Sequence, residues 1–181
     1  MLYAVGVVEL KSIAEGIKAC DGALKAANIR LVSAHPSCPG KYEIVLTGSI
    51  SNVTASVEYI RESFSKFIID SSVMGRIDEN VVKALFGTQQ EAGKGSLGVI
   101  ETFSAASAIK AADLAVKTSN VALYDLRISR GLGGKGIVML TGDVSDVTAA
   151  VEAGGNYARD LGLLHSSSVI AAPHAELWKQ L

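Results

Sequence analysis

The sequence predicts an α+β protein built from two tandem ferredoxin-like domains, each running β-α-β-β-α-β. Three observations predict it. One half of the chain repeats the other, each copy alternates β-branched runs with helical stripes, and the composition supports a packed core. Hydrophobic residues make up 49% of the 181-residue chain and charged residues 19%, which is too apolar for disorder.

The repeat is read directly from the residues. Ala4-Val5-Gly6-Val7-Val8-Glu9 matches Ser96-Leu97-Gly98-Val99-Ile100-Glu101, and Ile17-Lys18-Ala19-Cys20-Asp21 matches Ile109-Lys110-Ala111-Ala112-Asp113. Lys25 and Asn28 match Lys117 and Asn120. After a small gap, Leu46-Thr47-Gly48 pairs with Leu140-Thr141-Gly142, and Val53-Thr54-Ala55 with Val147-Thr148-Ala149. The expected division is a first domain over 1–88, a Gly/Gln-rich linker over 89–95 and a second domain over 96–181.

Ala4–Leu10 is a short apolar run, hence a buried strand. Ser12–Ala27 carries Ile13, Ile17, Cys20, Ala23, Leu24 and Ala27 at helical spacing. Ile29–Ala34 predicts a second strand, and Tyr42–Leu46 a third beyond a Pro/Gly-rich loop. Ser51 caps a second helix reaching Phe67 and carrying Val53, Val57 and Ile60. Phe67–Met74 is a fourth strand and Glu79–Leu85 a short helix. The second copy repeats the order. This topology hosts many unrelated functions, so activity has to be sought in particular residues.

Lys plus Arg number 17 and Asp plus Glu 18, giving a net charge of −1. Without a basic excess, nucleic-acid binding is not expected. No apolar run approaches the roughly 18–20 residues of a membrane helix, and the start Met1-Leu2-Tyr3-Ala4-Val5 lacks the basic segment of a signal peptide. Two cysteines are too few for a disulfide scaffold, so a reduced, cytosolic chain is expected.

The most informative segment is His35-Pro36-Ser37-Cys38-Pro39-Gly40-Lys41. Two prolines and a glycine fix its course and display Cys38 at a tip. Thiolates ligate iron–sulfur clusters, but one loop supplies one thiolate where a cluster needs three or four. A threefold oligomer with Cys38 on its axis would supply three. An ordinary exposed thiol is the plainer reading, and His35 leaves a zinc alternative open. Cys20 lies on the apolar face of the first helix, aligns with Ala112 in the second copy and reads as core.

The equivalent loop, Arg127-Ile128-Ser129-Arg130-Gly131-Leu132-Gly133-Gly134-Lys135-Gly136, has the wrong spacing for a phosphate loop and precedes a strand rather than a helix. Glu9 and Glu101 end equivalent strands, and duplication explains their pairing better than acid–base chemistry does. His165 and His174 have no triad partners at catalytic spacing. His174 follows Pro173 at a capping or interface position, and Trp178 reads as a packing anchor. No enzyme constellation emerges.

Gly6-Val7-Val8-Glu9, Asp21-x-x-x-Lys25, the loop and Thr47-Gly48 together resemble the bacterial microcompartment shell domain. The second copy repeats them through Gly98-Val99-Ile100-Glu101, Asp113-x-x-x-Lys117, Gly131–Gly136 and Thr141-Gly142-Asp143. The whole chain is similar to tandem, non-permuted shell proteins of the propanediol-utilisation type. That resemblance implies a homotrimer acting as a pseudohexameric tile among other shell proteins, placed in the microcompartment shell. It further implies one [4Fe–4S] cluster per trimer, held by Cys38, with an encapsulated or cytosolic redox protein as partner.

The expected pore lining, by the same resemblance, is Ser37, Pro39, Gly40, Ser129, Arg130, Gly131, Leu132 and Gly133. The expected tile-edge contacts are Lys25, Lys117, Arg76 and His174. The sequence departs from the family in placing Ala172 where an arginine precedes Pro-His, while Arg76 holds the corresponding place in copy one. Two rival readings stand beside the cluster-bearing tile: a plain metabolite pore without a cluster, and a ligand-sensing regulator on the ferredoxin-like fold.

Overall fold

The structure, a computed structural model, describes residues 4–87, 95–128 and 131–181. The first repeat contains β1 (Ala4–Leu10), α1 (Ile13–Ala26), β2 (Arg30–Ser37), β3 (Lys41–Gly48), α2 (Ile50–Ser63), a 3-10 turn (Ser65–Phe67), β4 (Ile68–Met74) and α3 (Glu79–Leu85). The second contains β5 (Ser96–Thr102), α4 (Ala105–Thr118), β6 (Ala122–Ile128), β7 (Gly136–Gly142), α5 (Val144–Asp160), β8 (Leu164–Ile170) and α6 (Ala175–Trp178). Each repeat folds its four strands into one antiparallel sheet, in the orders β2-β3-β1-β4 and β6-β7-β5-β8. The expected α+β architecture and element order are therefore present.

One compact unit takes the chain up to Glu79 and also the turn ending at Gly134; the other takes Asn80–Ile128 and Lys135–Leu181. Of the expected linker 89–95, only Gly95 belongs to the described residues.

The sheet's pleat sorts its side chains between two faces. In the first repeat, Val8, Leu10, Ile44 and Leu46 join Ala19, Ala23, Val53, Val57 and Ile60 in one core. A Cβ at Gly6 would stand 2.6 Å from Leu46 and 2.9 Å from Val53 and Val57. A Cβ at Gly98 would stand 2.6 Å from Val151. The glycine shared by the two copies thus marks where a helix presses closest to the sheet.

Three details differ from the sequence reading. Ser49, not Ser51, caps α2, its hydroxyl accepting from the Asn52 N–H at 3.3 Å. That helix ends at Ser63, and the stretch assigned to its last turn is the separate 3-10 turn. Strand β2 runs on through Pro36 to Ser37. As the outer strand of its sheet it has one edge without ladder partners, so a proline is tolerated there.

Candidate functional site: the Cys38 hairpin

Because β2 extends and β3 begins at Lys41, the expected seven-residue loop shrinks to a tight turn over Cys38, Pro39 and Gly40. Ser37 and Lys41 pair across its base, and the Gly40 N–H donates to the Ser37 carbonyl at 3.0 Å. Gly40 takes φ +87°, a conformation that glycine enters freely. Cys38, Pro39 and Gly40 are exposed, as the prolines and glycine predict, whereas Ser37 is buried. The Ser37 hydroxyl is buried without a hydrogen-bond partner immediately before the thiol.

Charge is organised beneath this turn. Glu9 is fully buried on β1, and Lys41 Nζ reaches its Oε2 at 3.2 Å. His35, Glu43, Glu9 and Asp70 occupy one register row across β2, β3, β1 and β4. His35 Nε2 lies 3.8 Å from the fully buried Glu43 Oε1. Directly opposed residues share a face of a sheet, so this polar row lies on the side away from the helices.

The second hairpin keeps the same base and changes the tip. Lys135 Nζ donates to Glu101 Oε1 at 2.9 Å, while Ser166 Oγ donates to Oε2 at 3.1 Å. The Lys135 hydrogen bond is the main cause holding the Glu101 carboxyl below its ordinary pKa; desolvation opposes it, and Ser166 and the charges of Lys135 and His165 assist. Ile137 and Arg127 stand where copy one has Glu43 and His35. The turn contains Gly131, Gly133 and Gly134, all at positive φ, with Gly131 and Gly133 exposed and Leu132 half-buried. Within the first compact unit a Cβ on Gly134 would fall 2.5 Å from the Cys38 carbonyl oxygen, so that backbone approach demands glycine. Ser129 and Arg130 lie outside the described residues.

The residues assigned to tile edges are spread over the surface. Lys25, in the last turn of α1, holds Asp21 at 2.6 Å with both side chains exposed. Lys117, in the last turn of α4, holds a fully buried Asp113 at 2.5 Å. Arg76 is exposed beyond β4 with φ 55°. His174 caps α6, its Nδ1 accepting from the Glu176 N–H at 3.2 Å. Trp178 packs edge-on to Tyr124 with ring centroids 5.4 Å apart, the anchoring role its type predicts.

Sequence reasoning missed Lys41 and Lys135. The signal was available: each follows its loop, and each is repeated together with a repeated glutamate.

Among the described residues no three His, Cys, Asp or Glu side chains form a metal-ligating group within the chain. Cys20 is buried and Cys38 exposed, both as free thiols. One chain thus offers one accessible cysteine sulfur, on an exposed three-residue turn. That donor set fits a cluster shared between chains and does not fit a site inside one chain.

Comparison with known proteins settles the family. The profile described as "BMC domain" matches residues 4–77 and again 96–173. The chain belongs to the BMC-domain family. Over 181 residues it is 38% identical to the bacterial microcompartment shell protein PduT of Citrobacter freundii, covering 100% of this chain and 98% of that one. The shell protein PduA of the same organism is 42% identical over 94 residues, 51% of this chain and 94% of PduA. One repeat here therefore corresponds to nearly a whole single-domain shell protein. Among solved structures, a microcompartment protein from Desulfitobacterium hafniense DCB aligns over 100% of both chains, with a TM-score of 0.92 and 40% identity. As a BMC-domain protein the chain is a structural component of a bacterial microcompartment shell. No described helix is long and apolar enough to cross a membrane.

Proposed function

We propose that three copies of this BMC-domain chain close into one tile of the shell, and that their Cys38 thiolates together hold a single [4Fe–4S] cluster. The observation carrying this reading is that one repeat displays an exposed thiol on a three-residue turn while the other, one insertion longer, has none. Duplication reduces a sixfold ring to a threefold one, so three sulfurs, rather than six, meet at its centre. A bound cluster supplies one-electron transfer. Three thiolates would leave one of the cluster's four irons to a ligand from outside the chain, such as water or a redox partner.

The chain's own part is positional. The Lys41–Glu9 pair ties the foot of the hairpin to the central strand β1, which limits the freedom of the Cys38 turn. The turn ending at Gly134 brings bare backbone against Cys38 and leaves room at the tip. The lining residues Ser37, Pro39, Gly40, Gly131, Leu132 and Gly133, with Ser129 and Arg130, would surround the axis. The tile contributes shell structure and an electron path across it, with other shell proteins at its edges and no reaction of its own.

Iron and sulfide analysis of anaerobically purified or reconstituted protein, together with its visible absorbance, tests the proposal. Wild type is expected to be coloured, and Cys38→Ser colourless at unchanged oligomeric mass. A colourless wild type after reconstitution favours the plain pore instead. A monomer that binds a small molecule and forms no sheets under the electron microscope favours the regulator.

A further inference from the structure

The last strand of each repeat carries a serine at the same register position, and the two serines have different company. In the first repeat Arg61, on α2, reaches across to β4. Its Nε donates to Ser71 Oγ at 2.8 Å, its Nη2 to the Ser71 carbonyl at 3.0 Å and its Nη1 to Glu58 Oε1 at 2.5 Å. One guanidinium thus joins a helix carboxylate to both oxygens of a strand serine.

The second repeat keeps the acceptors and lacks the cation. The offset that pairs Val53 with Val147 pairs Glu58 with Glu152 and Arg61 with Gly155. The sheet register pairs Ser71, opposite Val8, with Ser167, opposite Ile100. A Cβ built on Gly155 would point the same way, 3.8 Å from Ser167 Oγ, with room around it. The neighbouring Gly154 is different: a Cβ there would stand 2.7 Å from the Ala111 carbonyl oxygen. Packing therefore demands glycine at 154 and not at 155. Glu152 and Ser167 are exposed, and among the described residues Glu152 forms no ion pair. Arg159, the one cation of α5, is turned along its own helix, with Nη1 donating to Asn156 Oδ1.

We infer that Glu152, Gly155 and the hydroxyl and carbonyl of Ser167 form a binding site for a guanidinium group, brought by an arginine of a partner protein that lies extended along β8. The chemistry follows from the first repeat, where the same acceptors in the same fold hold an arginine of the chain itself. A guanidinium is planar and forked, so it meets a carboxylate and two serine oxygens at once, whereas an ammonium is a point charge. The source follows from the strand. β8 is the outer strand of its sheet, and Ser166, Ser167 and Ser168 are all exposed. Such an edge takes up an extended segment through backbone hydrogen bonds, and a side chain seated in a pocket sets its register. The inference needs neither the ring of copies nor the cluster.

Amide NMR of the isotope-labelled full chain tests it, with circular dichroism checking the fold of each variant. The probes are argininamide, lysinamide and a capped Val-Arg-Val peptide. In wild type, argininamide is expected to shift the amides of Glu152, Gly155 and Ser167 and to leave those of Glu58 and Ser71 in place. Lysinamide is expected to shift neither set. Gly155→Arg, which supplies the cation from within, is expected to abolish the response. Arg61→Gly, which gives the first repeat the composition of the second, is expected to make Glu58 and Ser71 respond as well. Glu152→Gln is expected to weaken binding about threefold. The peptide is expected to bind about tenfold more tightly than argininamide through its added backbone hydrogen bonds, and to shift Ser166 and Ser168 too. Silence of wild type, an equal response to lysinamide, shifts that survive Gly155→Arg, or an Arg61→Gly chain still silent at Glu58 and Ser71 overturns the site. Equal binding of argininamide and the peptide overturns the strand partner and assigns the site to a free guanidino compound.

Discussion

Lys41 Nζ reaches Glu9 Oε2 at 3.2 Å, joining the first residue after the Cys38 turn to a fully buried carboxylate on the central strand. Removing the amine leaves that carboxylate buried without this partner, a cost of about 1–3 kcal/mol. Lys41→Met is therefore expected to lower the free energy of unfolding in urea by this much, with a lower midpoint at unchanged slope. It is also expected to increase proteolysis at the turn, measured by limited digestion against wild type.

The two thiols differ in kind. Burial, aided by the nearby Asp21 charge, pushes the Cys20 thiol above its ordinary pKa, and Cys38 stands exposed. Cluster-free protein should react with one equivalent of a thiol reagent at once. The second equivalent is expected only on unfolding.

Asp113 and Asp21 offer a comparison inside one chain. Asp113→Ala removes a buried carboxylate that two lysines face, and it is expected to lower chain stability by about 1–3 kcal/mol in urea unfolding. Asp21→Ala should leave the unfolding of dilute, dissociated chains unchanged, because that pair is exposed.

Glu101 gives the acid dependence. Its folded pKa lies below the ordinary 4.5, chiefly through the Lys135 hydrogen bond. The stabilisation is complete above that ordinary value and is lost as pH falls through the lower folded one. Lys135→Met should thus be less stable at neutral pH by about 0.5–1 kcal/mol. Its stability should also decline less steeply than that of wild type below about pH 4.5, as followed by unfolding midpoints across an acid series.

Gly98 tests the close approach of α5. Replacing it with valine places side-chain atoms where Val147 and Val151 already sit, with a Cβ only 2.7 and 2.6 Å from them. A loss of about 1–3 kcal/mol is expected on thermal or urea unfolding.

Much of this was legible because local pattern carried it. The strand β1 reads from its apolar run, α1 from its apolar spacing, and the tandem fold from residue matches alone. The exposure of Cys38 followed from the two prolines and Gly40. What escaped the sequence depended on neighbours. Ser49 and Ser51 are both competent caps, and only the first helical turn decides between them. Pro36 reads as a loop residue until β2 is known to be an outer strand. Asp21 and Asp113 stand in matching motifs, yet one is exposed and the other buried, because burial is set by what packs on the repeat. Lys41 and Lys135 end their loop motifs in the sequence, and only the folded sheet brings Glu9 and Glu101 beside them.

The most direct measurement is sedimentation of anaerobically reconstituted protein, with mass and visible absorbance followed together. The account expects colour to travel only with a species of three chains, at about 1.3 iron atoms per chain, and to vanish in Cys38→Ser at the same mass. A coloured single chain, or a colourless species of three chains after reconstitution, would contradict it.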